Sequence, residues 1–200
     1  MQKIVDYYMH PMSPWSLLGH GRLRESCARH NAAVRIKPID LGNKVFPVSG
    51  GLPLAKRAPQ RQAYRLVELA RWRDFLGLPL NLQPRFAASG PDLAHRWIVA
   101  AAEHGAKPAL DLAGATLRGR WAGERDIADP ATLAEFARDA GLDAAALAER
   151  AGAPDIAARL DAITAQAIDA QVFGVPWYVC EGEPFWGQDR LDFLDRKLAK

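Results

Sequence analysis

Residues 3–18 read KIVDYYMHPMSPWSLL, and the fold turns on them. Lys3 to Met9 is short and rich in β-branched and aromatic residues, which predicts a buried strand. Ser13 followed by Pro14 then predicts a helix start. A serine oxygen can cap free backbone N–H groups, and proline at the first helical position gives up an N–H that has no partner there anyway. Leu17, Leu18, Leu23 and Cys27 supply an inward face for this helix. Val34 to Ile39 (VRIKPI) predicts a second strand, despite Pro38. Strand, helix and strand at this spacing make a βαβ unit.

Further along, the pattern is helical. Pro59 to Leu76 places Leu66, Leu69, Ala70 and Phe75 at apolar positions. Pro91 to His104, Ala131 to Ala140, Ala144 to Ala151 and Asp155 to Gln171 each predict a helix, punctuated by Gly77, Gly105, Gly141 and Asp129-Pro130. The repeated alanines suit helix propensity and close helix packing. Strands return at Val175 to Cys180, with a turn at Glu181-Gly182-Glu183, a short arm from Pro184 to Trp186, and an amphipathic helix from Gln188 to Lys200. The predicted class is α/β: one domain split into 1–42 and 172–200, with an all-helical insertion at 43–171.

Composition narrows the function. No apolar run approaches the ~20 residues of a membrane helix, and the chain passes from Met1 straight into a strand without a signal-like start, so a soluble cytoplasmic protein without a membrane partner is expected. The net charge of +3 is carried mainly by arginine, whose planar fork suits carboxylates and phosphates. No basic run is interleaved with aromatics, so a small anionic ligand is expected rather than nucleic acid. The two cysteines, Cys27 and Cys180, form no CxxC pair, and the five histidines are scattered, so no metal is expected.

Three short stretches carry candidate chemistry. The first is Met12 to Ser16 (MSPWS), between strand and helix. A helix N-terminus stabilises an anion, a thiolate placed there has a lowered pKa, and Ser13 offers it a hydroxyl hydrogen bond. The second is Gly174-Val175-Pro176 before a late strand. A cis bond there would turn the Val175 backbone outward to pair with an extended ligand. The third is Gly187-Gln188-Asp189-Arg190, where Asp189 suits an ammonium and the helix start a carboxylate. Taken singly, these also read as a helix cap, a strand-entry proline and a second cap.

Together, in this order, they resemble one family: the kappa-class glutathione transferases and bacterial 2-hydroxychromene-2-carboxylate isomerases. S-P-x-S stands where a thioredoxin relative has C-P-x-C, followed by V-P and then F-W-G-Q-D-R. The resemblance spans almost the whole chain and is strongest at Asp6 to Leu18, Gly50 to Trp72 and Phe173 to Leu194. It implies a thioredoxin-like domain with a large all-helical insertion, glutathione as cofactor, and a homodimer. By position, Ser13 matches the serine that hydrogen-bonds the glutathione sulfur. Val175 with Pro176 matches the backbone that pairs with the cysteinyl part. Gln188 and Asp189 match the pair at the γ-glutamyl end, and Arg61 a basic residue near glutathione. An asparagine used by some kappa transferases has no match near Gly51-Leu52-Pro53, and His10 stands where many members have an acid. These departures favour the isomerase branch.

That branch interconverts 2-hydroxychromene-2-carboxylate and trans-o-hydroxybenzylidenepyruvate in aromatic catabolism such as naphthalene degradation. A thiolate added transiently to the conjugated system permits rotation about the former double bond. Arg57, Arg61 and Arg65 are spaced by four and would share a face on one helix, with Pro59 standing between the first two. Arg57 is the candidate for the substrate carboxylate. Trp15, beside Ser13, and Trp121, in the polar stretch RGRWAGERD, are candidate aromatic walls, with Tyr7, Tyr8 and Trp177 as further ones. A kappa-like transferase is the alternative activity. A non-catalytic peptide-binding module is a third reading, whereas Ser13 and Ser16 in place of both sulfurs argue against a disulfide oxidoreductase.

Overall fold

The computed structural model describes residues 2–86, 90 and 92–200. Its sheet has four strands in the order β2-β1-β3-β4, formed by β1 (Ile4–Met9), β2 (Ala33–Pro38), β3 (Trp177–Cys180) and β4 (Glu183–Trp186). β1 runs parallel to β2 and antiparallel to β3, and β3 and β4 form a hairpin. The intervening helix α1 (Pro14–Arg29) completes the βαβ unit. Pro38 is tolerated because it ends β2, an edge strand, where a missing N–H breaks no interior ladder bond.

The period of two along β1 divides the core. Val5, Tyr7 and Met9, all fully buried, join one apolar cluster, while Tyr8 joins another with Ile39, Val45, Ala167, Val172, Val175 and Trp177. Between β2 and β3 the chain makes three short helical turns, at Leu41–Val45, α2 (Phe46–Ser49) and Leu54–Lys56, and then α3 (Pro59–Leu76), α4 (Asp92–Ala101), α5 (Ala106–Trp121), α6 (Pro130–Asp139), α7 (Ala144–Gly152) and α8 (Pro154–Asp169). Trp97, Ile98, Leu112, Leu117 and Leu133 from these helices share the first cluster with the sheet residues. The inserted helices therefore pack as part of the sheet's own core. The chain closes with a short turn at Gln188–Arg190 and α9 (Leu191–Leu198).

The predicted elements stand, with shifts of one or two residues at most ends. The Pro91 start of the fourth helix falls outside the described residues. One whole helix escaped the sequence reading: α5. Gly114 and Gly119 lower its intrinsic helix preference, but they are contact points. A Cβ on Gly114 would meet the His20 ring at 3.0 Å, and one on Gly119 would overlap Phe136. Small residues let α5 approach α1 and α6 closely, and burial outweighs the weak intrinsic helix preference of glycine.

Candidate active site

Ser13 sits in extended backbone conformation as the N-cap of α1, and the Ser16 N–H donates to its Oγ at 3.1 Å. A hydroxyl that accepts in this way still has its own proton to donate. The loop feeding it is braced by His10: the Ser13 N–H donates to the His10 carbonyl at 2.9 Å, and the Met12 N–H to His10 Nδ1 at 3.1 Å. That bond requires an unprotonated Nδ1, and burial holds His10 down at about 4. The His95 ring meets it edge-on, with centroids 4.7 Å apart, and His95 is also held well below its usual value, chiefly by burial. Ser16, the second serine of S-P-x-S, is fully buried beside Tyr7, whose hydroxyl burial pushes far up.

The strand register brings the other motifs to the same end of the sheet. Tyr8 pairs with Trp177 in antiparallel fashion, so the chain before Trp177 runs on alongside Met9 and His10. Val175 and Pro176 therefore lie beside the loop that carries Ser13, and the peptide between them is cis. Among the described residues, the Val175 N–H and carbonyl enter no backbone hydrogen bond. Trp177 pairs with Trp186, and one step further the Gly187 N–H donates to the Pro176 carbonyl at 2.9 Å. The Gln188-Asp189 turn is thereby tied to the Val175-Pro176 turn.

The two residues of that pair are placed differently. Gln188 is 2 % exposed. Its side-chain oxygen and backbone carbonyl both accept from Arg22 Nη1 at 2.9 Å, so the side chain is packed against α1. Asp189 is exposed and carries Arg190 Nη1 at 2.6 Å on its carboxylate. Arg61 is exposed in the first turn of α3.

A second group gathers nearby. Arg57 lies ahead of α3 in extended conformation, so Pro59 does separate it from the helix of Arg61 and Arg65. It still comes to that group, because its charge and that of Arg120 both act on Arg65. Trp121, despite its polar stretch of sequence, ends α5 and is 4 % exposed. Arg65 and Arg120 place their guanidinium carbons 5.9 and 5.1 Å from its ring centroid. Trp15 is half-buried against the core. Arg120, which the sequence reading passed over, is 3 % exposed and donates to the Phe86 carbonyl at 2.6 Å. Its charge helps to lower His10, linking this group to the Ser13 loop. The only signal for it in the sequence was an arginine beside a tryptophan at the end of an unrecognised helix.

Comparison with known proteins agrees with this architecture. Residues 4–199 match the model of the DSBA-like thioredoxin domain. The chain is 29 % identical to a 2-hydroxychromene-2-carboxylate isomerase from Sphingobium xenophagum, covering 99 % of both chains. It is 26 % identical to one from Pseudomonas putida, over 98 % of this chain and 95 % of that one. A solved 2-hydroxychromene-2-carboxylate isomerase structure superposes with a TM-score of 0.81 at 26 % identity, covering 98 % of this chain and 94 % of that one. With the sheet order, the Ser13 cap and these full-length similarities together, the chain belongs to the DSBA-like thioredoxin domain family and is an enzyme of its isomerase kind.

Proposed function

We propose that the chain is a glutathione-dependent isomerase of 2-hydroxychromene-2-carboxylate or a similar conjugated aromatic acid, giving trans-o-hydroxybenzylidenepyruvate or its counterpart. The observation that carries this reading is the Ser13 hydroxyl, whose oxygen is filled by the Ser16 N–H and whose proton is left to donate. The full-length similarity to proteins named as such isomerases supports the choice of reaction.

Glutathione fits the residues at this end of the sheet. When bound, it supplies a sulfur nucleophile for transient addition to the conjugated double bond, which lets that bond rotate. Ser13 donates to that sulfur, and the N-terminal dipole of α1 favours its ionised form. Val175, whose backbone makes no backbone hydrogen bond among the described residues, pairs with the extended cysteinyl segment in the manner of an added strand. Asp189 meets the ammonium, and the backbone around the buried Gln188 shapes the γ-glutamyl end. Arg61, exposed in the first turn of α3, is the basic residue assigned to glutathione in this reading. A homodimer is part of this reading and is checked by sedimentation equilibrium.

A kappa-like transferase would use the same glutathione residues. The guanidinium groups beside Trp121 favour the isomerase, because a pocket for uncharged electrophiles gains nothing from them. The test is an absorbance assay with 2-hydroxychromene-2-carboxylate, with and without glutathione. Conversion only when glutathione is present supports the proposal. Calorimetric binding of glutathione without conversion transfers the reading to the transferase, and failure to bind glutathione removes the role given to Ser13.

A further inference from the structure

Two helices far apart in sequence deliver arginines to one indole. Arg65 comes from the second turn of α3 and Arg120 from the end of α5, with Trp121 as their common neighbour at 5.9 and 5.1 Å. Guanidinium groups stack on aromatic faces, and the stack fixes the plane in which their N–H groups point. Trp121 is therefore the base of this cluster rather than a wall for a flat substrate. Its indole N–H is buried without a partner among the described residues, which leaves one more donor at the base.

The arginines here differ in how they are held. Arg120 is buried, bonded to the Phe86 carbonyl and beside Asp126, and so is a fixed part of the frame. Arg71 and Arg73, further along α3, pair with Glu68 at 2.6 Å and Asp74 at 2.8 Å. Arg65, half-buried, forms no ion pair with a described carboxylate, nor does Arg57, whose Nε donates to the Leu52 carbonyl at 2.8 Å. Burial and the charges of Arg57 and Arg120 pull Arg65 below its ordinary value. Gathering like charges in a half-buried place costs stability, and an anionic ligand offsets that cost.

We propose that Arg65 and Arg57, on the base made by Trp121 and Arg120, form the subsite for the carboxylate of a conjugated aromatic acid. Arg65 then sets the preference for such acids over their neutral analogues. This rests on the isomerase reading for the kind of acid, and it places the recognition in residues that the glutathione site does not use. The planar fork of Arg65 can take both carboxylate oxygens at once, which a lysine cannot do. The subsite lies on the Ser13 side of the fold, because α3, which carries Arg65, packs against α1, the helix that Ser13 caps.

The experiment is calorimetric titration of trans-cinnamate and of trans-cinnamamide, its neutral analogue, into the unaltered protein, Arg65→Gln, Arg65→Lys and Arg57→Gln. Alongside it, kcat/KM for 2-hydroxychromene-2-carboxylate and the glutathione dissociation constant are measured. The expected result is an acid bound at least about ten-fold more tightly than the amide, a preference that Arg65→Gln abolishes and Arg65→Lys keeps in part. Arg57→Gln reduces it, and glutathione affinity stays unchanged. Equal binding of acid and amide by the unaltered protein overturns the subsite. So does an Arg65→Gln protein of unchanged melting temperature that keeps the preference. Should Arg65→Gln fail to fold, Arg57→Gln decides by the same criterion. If the chain isomerises the chromene carboxylate and neither substitution matters, the subsite falls and the isomerase reading stands. If cinnamate binding depends on Arg65 but no isomerisation occurs, the subsite stands and the reading of the reaction falls.

Discussion

The Arg22 guanidinium, on α1, donates through one nitrogen to both the backbone carbonyl and the side-chain oxygen of Gln188, each at 2.9 Å. This clamp ties the helix that starts at Ser13 to the turn that carries Asp189. Replacing Arg22 by Met strands two acceptors around a buried residue and should cost about 1–3 kcal/mol of stability. It should also weaken glutathione, because the turn loses its anchor. Asp189→Ala, at an exposed position, should weaken glutathione with little change in melting temperature. Calorimetry and thermal melts on both variants check the contrast, and identical affinities would remove the turn from the binding site.

Ser13 has two jobs that substitution can separate. Its oxygen caps α1, and its proton is assigned to the glutathione sulfur. Ser13→Ala should lose about 1 kcal/mol from the cap and reduce turnover on the order of a hundred-fold, as for loss of one stabilising donor at a reacting centre. Ser13→Asp keeps a cap acceptor and brings a negative charge where a thiolate must sit. It should hold its melting temperature but remain inactive. Activity in Ser13→Asp comparable to the unaltered protein would contradict the assignment.

Gly19 faces Tyr178 and Gln188. A Cβ there would stand 2.5 Å from the Tyr178 hydroxyl oxygen and 3.1 Å from the Gln188 Cβ. Tyr178 is fully buried and stacked on Tyr7 at 5.4 Å, so it cannot swing aside cheaply. Gly19→Ala should destabilise by about 1–3 kcal/mol, and combining it with Tyr178→Phe should recover part of the loss. Chemical denaturation of the single and double variants measures the coupling.

Three histidines, His20 and His95 buried and His10 half-buried, give a pH dependence of definite sign. His10 and His20 are held at about 4, against an ordinary 6.5, and His95 lies well below it, with burial the first cause in each. Arg120 lowers and Asp40 raises His10, while Arg24 and Arg118 lower and Asp111 raises His20. The unfolded chain therefore binds more protons than the folded one between these values. Stability is complete above about pH 6.5 and declines as pH falls toward 4. Asp195, held at about 2 by Ser26 and Arg29, loses its contribution only at lower pH. Melting temperatures from pH 7.5 to 4.5 should fall, and His20→Asn should flatten part of that fall. A constant melting temperature across the window would refute the account.

The elements at the end of the sheet proposed to hold glutathione were largely legible in the sequence because their signals are local. Serine before proline sets a helix start within a few residues, the alternation of β1 assigns its faces, and the V-P and G-Q-D-R stretches mark turns by composition. α5 was not legible. Gly114 and Gly119 weaken its helical pattern, and only contact with His20 and Phe136 shows why they are there. Without that helix, Trp121 read only as part of a polar stretch, and Arg120 carried no signal of its own.

The sequence by itself determined the βαβ opening, the cap at Ser13, the closing hairpin and the chemistry available at each turn, because these depend on backbone preferences and periodicity over a few residues. The tertiary structure decided which of those turns meet. The Tyr8–Trp177 register brings Val175 alongside His10, the Gly187-to-Pro176 bond brings in Asp189, and side chains from α3 and α5 meet so that Arg120 and Arg65 share one indole. Each of those meetings joins residues far apart in the chain, and their loop-closure cost is repaid only by the shared core, which no local pattern encodes.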